Sequence, residues 1–462
     1  MRVPDAGLSR RRALQGLCAL VATPVPALAE LPATTTLRVA PAHQSLVGIP
    51  HPDTAVWAYN GTVPGPLLRV RQGQRLAVRV VNELAEDTSV HWHGLRIPNA
   101  MDGVPHLTQP PIAAGGGRFD YSFVCPDAGT FWYHPHSRAQ VQVERGLHGA
   151  LIVDEPEPLP VDRDLLWVLD DWRLAPDAQI VENFGAMPDA AHAGRLGNTV
   201  TLNGELAQRF DVEAGERIRL RLLNVANARI FALDFEGHTP YVIALDGMPC
   251  APHEPQGGLV VLGPGMRADL ILEAVGGPGT RHRVLDRFSR RDSYEVLGLH
   301  YADSARKPSR PKAAPLRLPA NPVPEPDLDQ AQRHVLTMNG GMMGGMGMRG
   351  AGGIWALNGR SMGDESHRHP PLLTLALGRT QLIELRNETA WWHPMHLHGH
   401  SFRIVARNGK ALARHDLVDT TLLPPRETVQ IAFVADNPGD WMFHCHVLEH
   451  AASGMMASFR VG

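Results

Sequence analysis

The sequence predicts an all-β protein made of related sandwich domains, and three observations carry that expectation. Gly 45 and Pro 39 in a chain of 462 residues break it too often for long helices and suit short strands joined by turns. Three segments, Gly73 to Asn82 (GQRLAVRVVN), Gly215 to Asn224 (GERIRLRLLN) and Gly378 to Asn387 (GRTQLIELRN), alternate apolar with charged residues as half-buried strands do. Each follows an Asn-Gly pair, at Asn60-Gly61, Asn203-Gly204 and Asn358-Gly359, which is turn chemistry. One corner of a sandwich is therefore written three times, and three domains are the economical reading.

Taken in order, residues 1–29 read as an export segment. Arg10-Arg11-Arg12 precedes an apolar run from Gly16 to Ala22, and Ala27-Leu28-Ala29 supplies small residues before a cleavage point. The arginine pair resembles a twin-arginine signal, which implies a periplasmic protein. Pro24 and Pro26 leave the run too short to span a bilayer, so no membrane partner is expected after cleavage. The first sandwich is expected over residues 30–155, ending with the strand Gly149 to Asp154, and the second over 156–302. Residues 303–331 form a proline-rich, extended linker carrying no core. The third sandwich covers 332–462.

Lys+Arg 44 against Asp+Glu 47 gives a net charge of -3, which offers no footprint for nucleic acid or an anionic membrane. Oligomeric state is not readable. Of four cysteines, Cys18 leaves with the export segment and Cys445 sits among histidines; Cys125 and Cys250 form either one disulfide or two buried thiols.

Four histidine pairs, His91/His93, His134/His136, His396/His398 and His444/His446, are each spaced by two, and the last encloses Cys445. On a strand, residues i and i+2 share a face, so each pair offers two imidazoles to one site while Cys445 faces away. Imidazole suits copper, zinc, iron or nickel, and a thiolate with two imidazoles and a weak methionine is a blue-copper ligand set. Register sharpens this. His91 and His396 each lie nine past the repeat asparagine, whereas the middle copy has Leu233 and Phe235 at nine and eleven. The second half repeats too, since His134 and His444 each lie five past a glycine, Gly129 or Gly439. A site using all eight imidazoles would lie between domains one and three, with the middle domain as spacer.

HWHG, HPH, HPMHLHGH and HCHVLEHAASGMM together resemble the multicopper oxidase family, over essentially the whole mature chain. The resemblance implies three cupredoxin-like Greek-key domains and four copper ions: one type 1, one type 2 and two type 3. It implies His393, Cys445 and His450 at type 1, with Met455 axial in preference to Met456. It gives type 2 His91 and His396, and type 3 His93, His134, His136, His398, His444 and His446. The implied activity couples four one-electron oxidations of a reductant at type 1 to reduction of dioxygen to water, with Cys445, His444 and His446 wiring the centres. Asp102, nine after His93, matches an acid that supplies protons in relatives; a turn cap is the alternative. Many bacterial relatives carry an acid directly after the second type 1 histidine, where this chain has Ala451; Glu449 need not point the same way. His106, His148, His367 and His400 have no motif place and read as surface or supporting residues.

For the reductant, a laccase-like phenol or aromatic-amine oxidase competes with a cuprous oxidase serving copper tolerance. Five of the eleven residues from Met338 to Met348 are methionine, and thioethers select Cu(I). A flexible glycine loop whose methionines cover apolar surface is the plain alternative. A copper-sequestering or scaffold protein would have lost cluster ligands, a two-domain nitrite reductase lacks the type 3 pair, and zinc needs no axial thioether.

Overall fold

Six β-sheets form in three sequence-local pairs in the computed structural model, which describes residues 34–206, 209–289, 291–305, 316–342, 353–362 and 370–462. The export segment 1–29 with Cys18, residues 306–315 of the linker, Met343, Met346, Met348 and His367 lie outside the described residues. Two four-stranded sheets hold the strands from Thr35 to Asp154, a six- and a five-stranded sheet those from Arg163 to Ala305, and a seven- and a five-stranded sheet those from Gln332 to Val461. Each pair closes over its own apolar core, with Val78 and Trp92 in the first, Leu220 and Leu233 in the second, and Ile383 and Phe443 in the third. The all-β, cupredoxin-like expectation holds.

The repeat has a physical cause. Arg75–Asn82, Arg217–Asn224 and Thr380–Asn387 each lie between a parallel neighbour and an antiparallel one, in the same order in every copy. Asn60, Asn203 and Asn358 all have positive φ, as do the glycines after them, which is the backbone that a tight Asn-Gly turn requires. The strand-ending asparagines are buried and do one job three times. Asn82 Nδ2 donates to Glu86 O (2.8 Å) and Ile112 O (2.9 Å), Asn224 Nδ2 to Arg229 O (2.8 Å) and Leu262 O (2.9 Å), and Asn387 Nδ2 to Trp391 O (2.7 Å) and Pro424 O (2.8 Å). Each side chain ties the end of its strand to the loop that enters the next one. Those next strands are His91–His93, Phe231–Phe235 and His393–Leu397, so the anchor sets where the first histidine of each pair falls. Leu233 and Phe235 are buried packing residues, as expected of the middle copy.

One expectation changes, and one open alternative is decided. The described part of the linker is pinned: Asn321 exchanges hydrogen bonds with the Ala128 backbone (2.9 and 2.8 Å), and Val323 packs on the first core. The linker does carry core, because one apolar residue in a proline-rich run suffices when its backbone is held. Cys125 and Cys250 are free thiols; the first lies inside the first core and the second packs against the second core, so they do not meet.

Replacing Asn224 with Ala strips two carbonyls and the Ala226 N–H of their partner. The expected cost is about 1–3 kcal/mol, read as a lower urea midpoint with unchanged copper content. A wild-type midpoint would contradict the anchoring role.

Candidate metal centre

Strand pairing brings the histidines together. His91–His93 runs antiparallel to Gly129–His134 with His91 opposite His134, and His393–Leu397 runs antiparallel to Gly439–Cys445 with His396 opposite His444. The two hairpins face each other. His91 stacks on His398 at 3.8 Å and His93 on His396 at 3.7 Å between ring centroids, while His136 meets His444 at 5.2 Å and His134 meets His446 at 5.3 Å. All eight paired histidines thus line one cage, buried except for half-buried His136.

The nitrogens fit a bound cation. Among the described residues, Nε2 of His91, His134, His136 and His396, Nδ1 of His93 and both nitrogens of His446 are buried without a hydrogen-bond partner. Buried polar atoms are rarely left so, and here they cluster on one set of rings. His398 Nδ1 donates to Asp102 Oδ2 (2.9 Å) and His444 Nδ1 to Cys445 O (2.9 Å), which leaves their Nε2 atoms as two lone pairs facing each other at 3.2 Å. Lone pairs at that separation call for a positive charge beside them. Burial, reinforced by the neighbouring imidazoles, holds His93, His134, His136, His398 and His446 well below the ordinary imidazole range and pushes His444 down to about 3. These rings are therefore neutral and ready to donate electron pairs.

Two carboxylate residues orient the rings. Asp102 accepts from His91 Nδ1 through its carbonyl (2.8 Å) and from His398 Nδ1 through its side chain, so that carboxylate is no turn cap. Asp419 mirrors it, accepting from His396 Nδ1 through its carbonyl (3.0 Å) and from His93 Nε2 through Oδ1 (3.1 Å). Each acid holds one ring from either hairpin, the kind of outer support that fixes a ligand's tautomer. Asp419 in turn meets Arg267, whose Nη1 and Nη2 donate to its two oxygens at 2.9 and 2.6 Å. Burial alone would raise Asp419, but Arg267 and His396 reverse this and hold its carboxyl well below the usual range. Arg267 begins the middle-repeat strand Arg267–Glu273, so the middle copy is more than a spacer. Sequence reading missed both residues. Asp419 stands in no repeated spacing, and an arginine in an alternating strand reads as solvent-facing.

A second cluster backs onto the first. Cys445 Sγ lies 3.5 Å from His393 Nδ1 and 3.7 Å from His450 Nδ1, and the two Nδ1 atoms are 3.2 Å apart, all buried. His450 Nε2 donates to the His192 carbonyl (2.7 Å), so its Nδ1 is again a lone pair facing the cluster. Burial pushes His450 down to about 3 and raises the Cys445 thiol, which a metal would deprotonate. Met455 is buried and its carbonyl accepts from Cys445 N (3.0 Å). Met456 pairs instead with His444 and lines a cavity of about 40 Å³ with His136, His444 and Ala451. Glu449 is tied to the middle repeat, accepting from Arg195 N and Asn227 Nδ2 (both 3.0 Å). His148 bonds Asp170 and His400 bonds the His398 carbonyl; neither joins a cluster.

A cleft of about 950 Å³, lined among others by Phe288, Tyr294, Trp391, Trp392 and Val447, opens at Val447, whose N–H donates to Cys445 Sγ (3.4 Å). Met338 departs from the expected methionine segment: it lies within the strand Gln332–Gly340 and is fully buried in the third core, whereas Met342 is exposed and its carbonyl accepts from Trp391 Nε1 (3.0 Å).

The lowered histidine pKa values have a stability consequence. Below the ordinary imidazole range the unfolded chain takes up protons that the folded cage refuses, so stability present at neutral pH is lost as pH falls through 6.5. At about pH 5 this amounts to roughly 2 kcal/mol for each of His444 and His450. The metal-free protein should melt at clearly lower temperature at pH 5 than at pH 7.5, by calorimetry; equal melting temperatures would contradict a neutral cage.

Comparison with known proteins agrees with this geometry. Sequence models described as multicopper oxidase match residues 43–158, 163–280 and 329–462. The chain is 31% identical to multicopper oxidase MmcO of Mycobacterium tuberculosis, over 91% of this chain and 86% of that protein. It is 30% identical to Laccase-1 of Botryotinia fuckeliana, over 87% and 77%. The crystal structure of a multi-copper oxidase from Pseudomonas thermotolerans superposes with a TM-score of 0.84 at 36% identity, covering 93% of this chain and 99% of that one. This chain belongs to the multicopper oxidase family and is a copper-dependent oxidoreductase with dioxygen as its acceptor.

Proposed function

We propose that the chain holds four copper ions and oxidises phenols and aromatic amines, with His393, Cys445, His450 and axial Met455 holding type 1. His91 and His396 hold type 2, and His93, His134, His136, His398, His444 and His446 hold the type 3 pair. The single observation that carries this reading is the set of inward-facing imidazole nitrogens that no protein donor satisfies among the described residues. Copper bound there supplies the one-electron redox chemistry that links oxidation of the reductant to reduction of dioxygen to water. The chain's own part is connection and orientation. Cys445 faces His393 and His450 while the flanking His444 and His446 face the cage, so adjacent residues of one strand join the two centres. Asp102 orients His91 and His398, and we assign it proton delivery as well, since no acid stands at Ala451.

The boundaries 30–155, 156–302 and 332–462 with the linker 303–331 are proposed as the three domains, supported by the sheet pairs. Export by a twin-arginine route to the periplasm is proposed from Arg10-Arg11; among the described residues no helix is long and apolar enough to cross a membrane.

The aromatic lining of the cleft favours an organic reductant, because ring stacking is worth roughly 0.5–1.5 kcal/mol beyond area burial. A cuprous-oxidase role in copper homeostasis is the second reading, favoured by Met342, whose carbonyl is bonded by a tryptophan of the cleft wall. The test is oxygen uptake by the copper-loaded protein with a phenol, Cu(I) and Fe(II). Cys445→Ser should lose the blue absorption and uptake with every reductant while the cage still binds copper; persistence of the blue colour would overturn the type 1 assignment. Deletion of residues 343–348 should lower uptake with Cu(I) and spare uptake with the phenol if the second reading is right, and spare both if it is wrong.

A further inference from the structure

His93 and His396 stack nearly parallel, at 3.7 Å and 11°, yet present different nitrogens to the cage. On His93 the partnerless atom is Nδ1, and on His396 it is Nε2. Asp419 accounts for the difference, with Thr420 Oγ1 beside the same two nitrogens (3.4 Å from His93 Nε2 and 3.1 Å from His396 Nδ1). His93 Nε2 donates to the Asp419 side chain and His396 Nδ1 to the Asp419 carbonyl, so the two N–H groups converge on Asp419 and the two lone pairs are left facing the cage. Asp419 can do this only if its carboxylate plane is fixed. Arg267 grips both oxygens at 2.9 and 2.6 Å, and Thr420 Oγ1 donates to Oδ1 at 2.8 Å.

The arginine is itself over-determined. Its backbone N–H donates to Asp246 Oδ1 and its Nη2 to the Asp246 carbonyl, both at 2.9 Å, while Asp246 Oδ2 accepts from Thr420 N at 3.0 Å. Arg267 Nε reaches the Thr130 carbonyl of the first sheet pair (3.1 Å), so one guanidinium touches groups from all three repeats. Gly94, the glycine of HWHG, gives it room, because a Cβ there would collide with Arg267 and Asp419. Asp102, the acid on the opposite side, has no arginine or lysine partner among the described residues. The support is therefore one-sided and comes from the repeat that has no paired histidines.

We propose that Arg267 is a positioning residue of the copper cluster: through Asp419 it sets the ring planes and tautomers of His93 and His396, so the middle domain governs ligands supplied by the other two. The inference rests on the assignment of those histidines as ligands under the proposed function. Its effect falls on the type 2 copper and its type 3 neighbour and leaves the Cys445 cluster alone.

The test uses the full-length, copper-loaded protein and reads bound copper per chain, the paramagnetic-resonance signature of type 2 copper and the blue absorption from Cys445. The variants are Arg267→Gln, Asp419→Asn, both together, Arg267→Lys, and His396→Ala as reference. Because Arg267→Gln alone leaves two buried carboxylates without their cation, the double variant, which removes charges of both signs, keeps the result readable. Loss of such outer support typically costs about 10–100-fold in metal affinity. The double variant should show a drop of that size at type 2, no larger than Asp419→Asn alone, with the blue absorption retained and Arg267→Lys intermediate. A normal type 2 signature in the double variant, multiplicative losses, or loss of the blue absorption in step with type 2 would each overturn the proposal. An unchanged type 2 signature in His396→Ala would instead remove the ligand assignment beneath it, so the two failures are told apart.

Discussion

The structure depends on holding eight imidazoles packed together with their nitrogens aimed at one another. Among the described residues no protein donor meets their inward nitrogens, and burial with mutual repulsion pushes the pKa values of rings such as His93 and His398 down. Each such orphan costs on the order of 1–3 kcal/mol in the metal-free protein, so the strands around it must be stable for other reasons. Three apolar cores and the asparagine anchors supply that stability. Metal affinity is then partly relief of a cost built into the fold.

From that constraint follows the division of labour among the repeats. The first and third copies carry histidines at the same strand position, and only their face-to-face packing completes the cage. The strand Gly439–Cys445 and the residue after it serve two clusters at once, because alternation sends Cys445 one way and its neighbours the other. The middle copy replaces its histidines with Leu233 and Phe235, and contributes elsewhere: Arg267 to the cage wall, and the His192 carbonyl to His450.

Features encoded by local spacing were legible in the sequence. Period-two histidine pairs, the nine-residue offset from the repeat asparagines and the alternating strands all follow from strand geometry, and the structure has them in register. Features that depend on where distant strands cross were not. Asp419 and Arg267 lie 152 residues apart and meet only in the folded chain. Met338 adjoins a glycine-rich methionine run, so its place as a buried strand residue is hidden by its neighbours. Cys125 and Cys250 look like a pair by elimination, yet they belong to different cores. Glu449 is one residue from His450 but turns toward Arg195 and Asn227, a direction that a helical turn sets and spacing alone does not reveal.

Under the proposed function, two clusters joined through Cys445 hold copper: the cage between the hairpins of the first and third repeats, and Cys445, His393 and His450 within the third. Anomalous diffraction at the copper absorption edge from copper-loaded crystals tests it most directly. The account predicts one peak among Cys445, His393 and His450 and three within the cage of eight histidines. Peaks confined to one cluster at full copper loading, or located away from both, would contradict it.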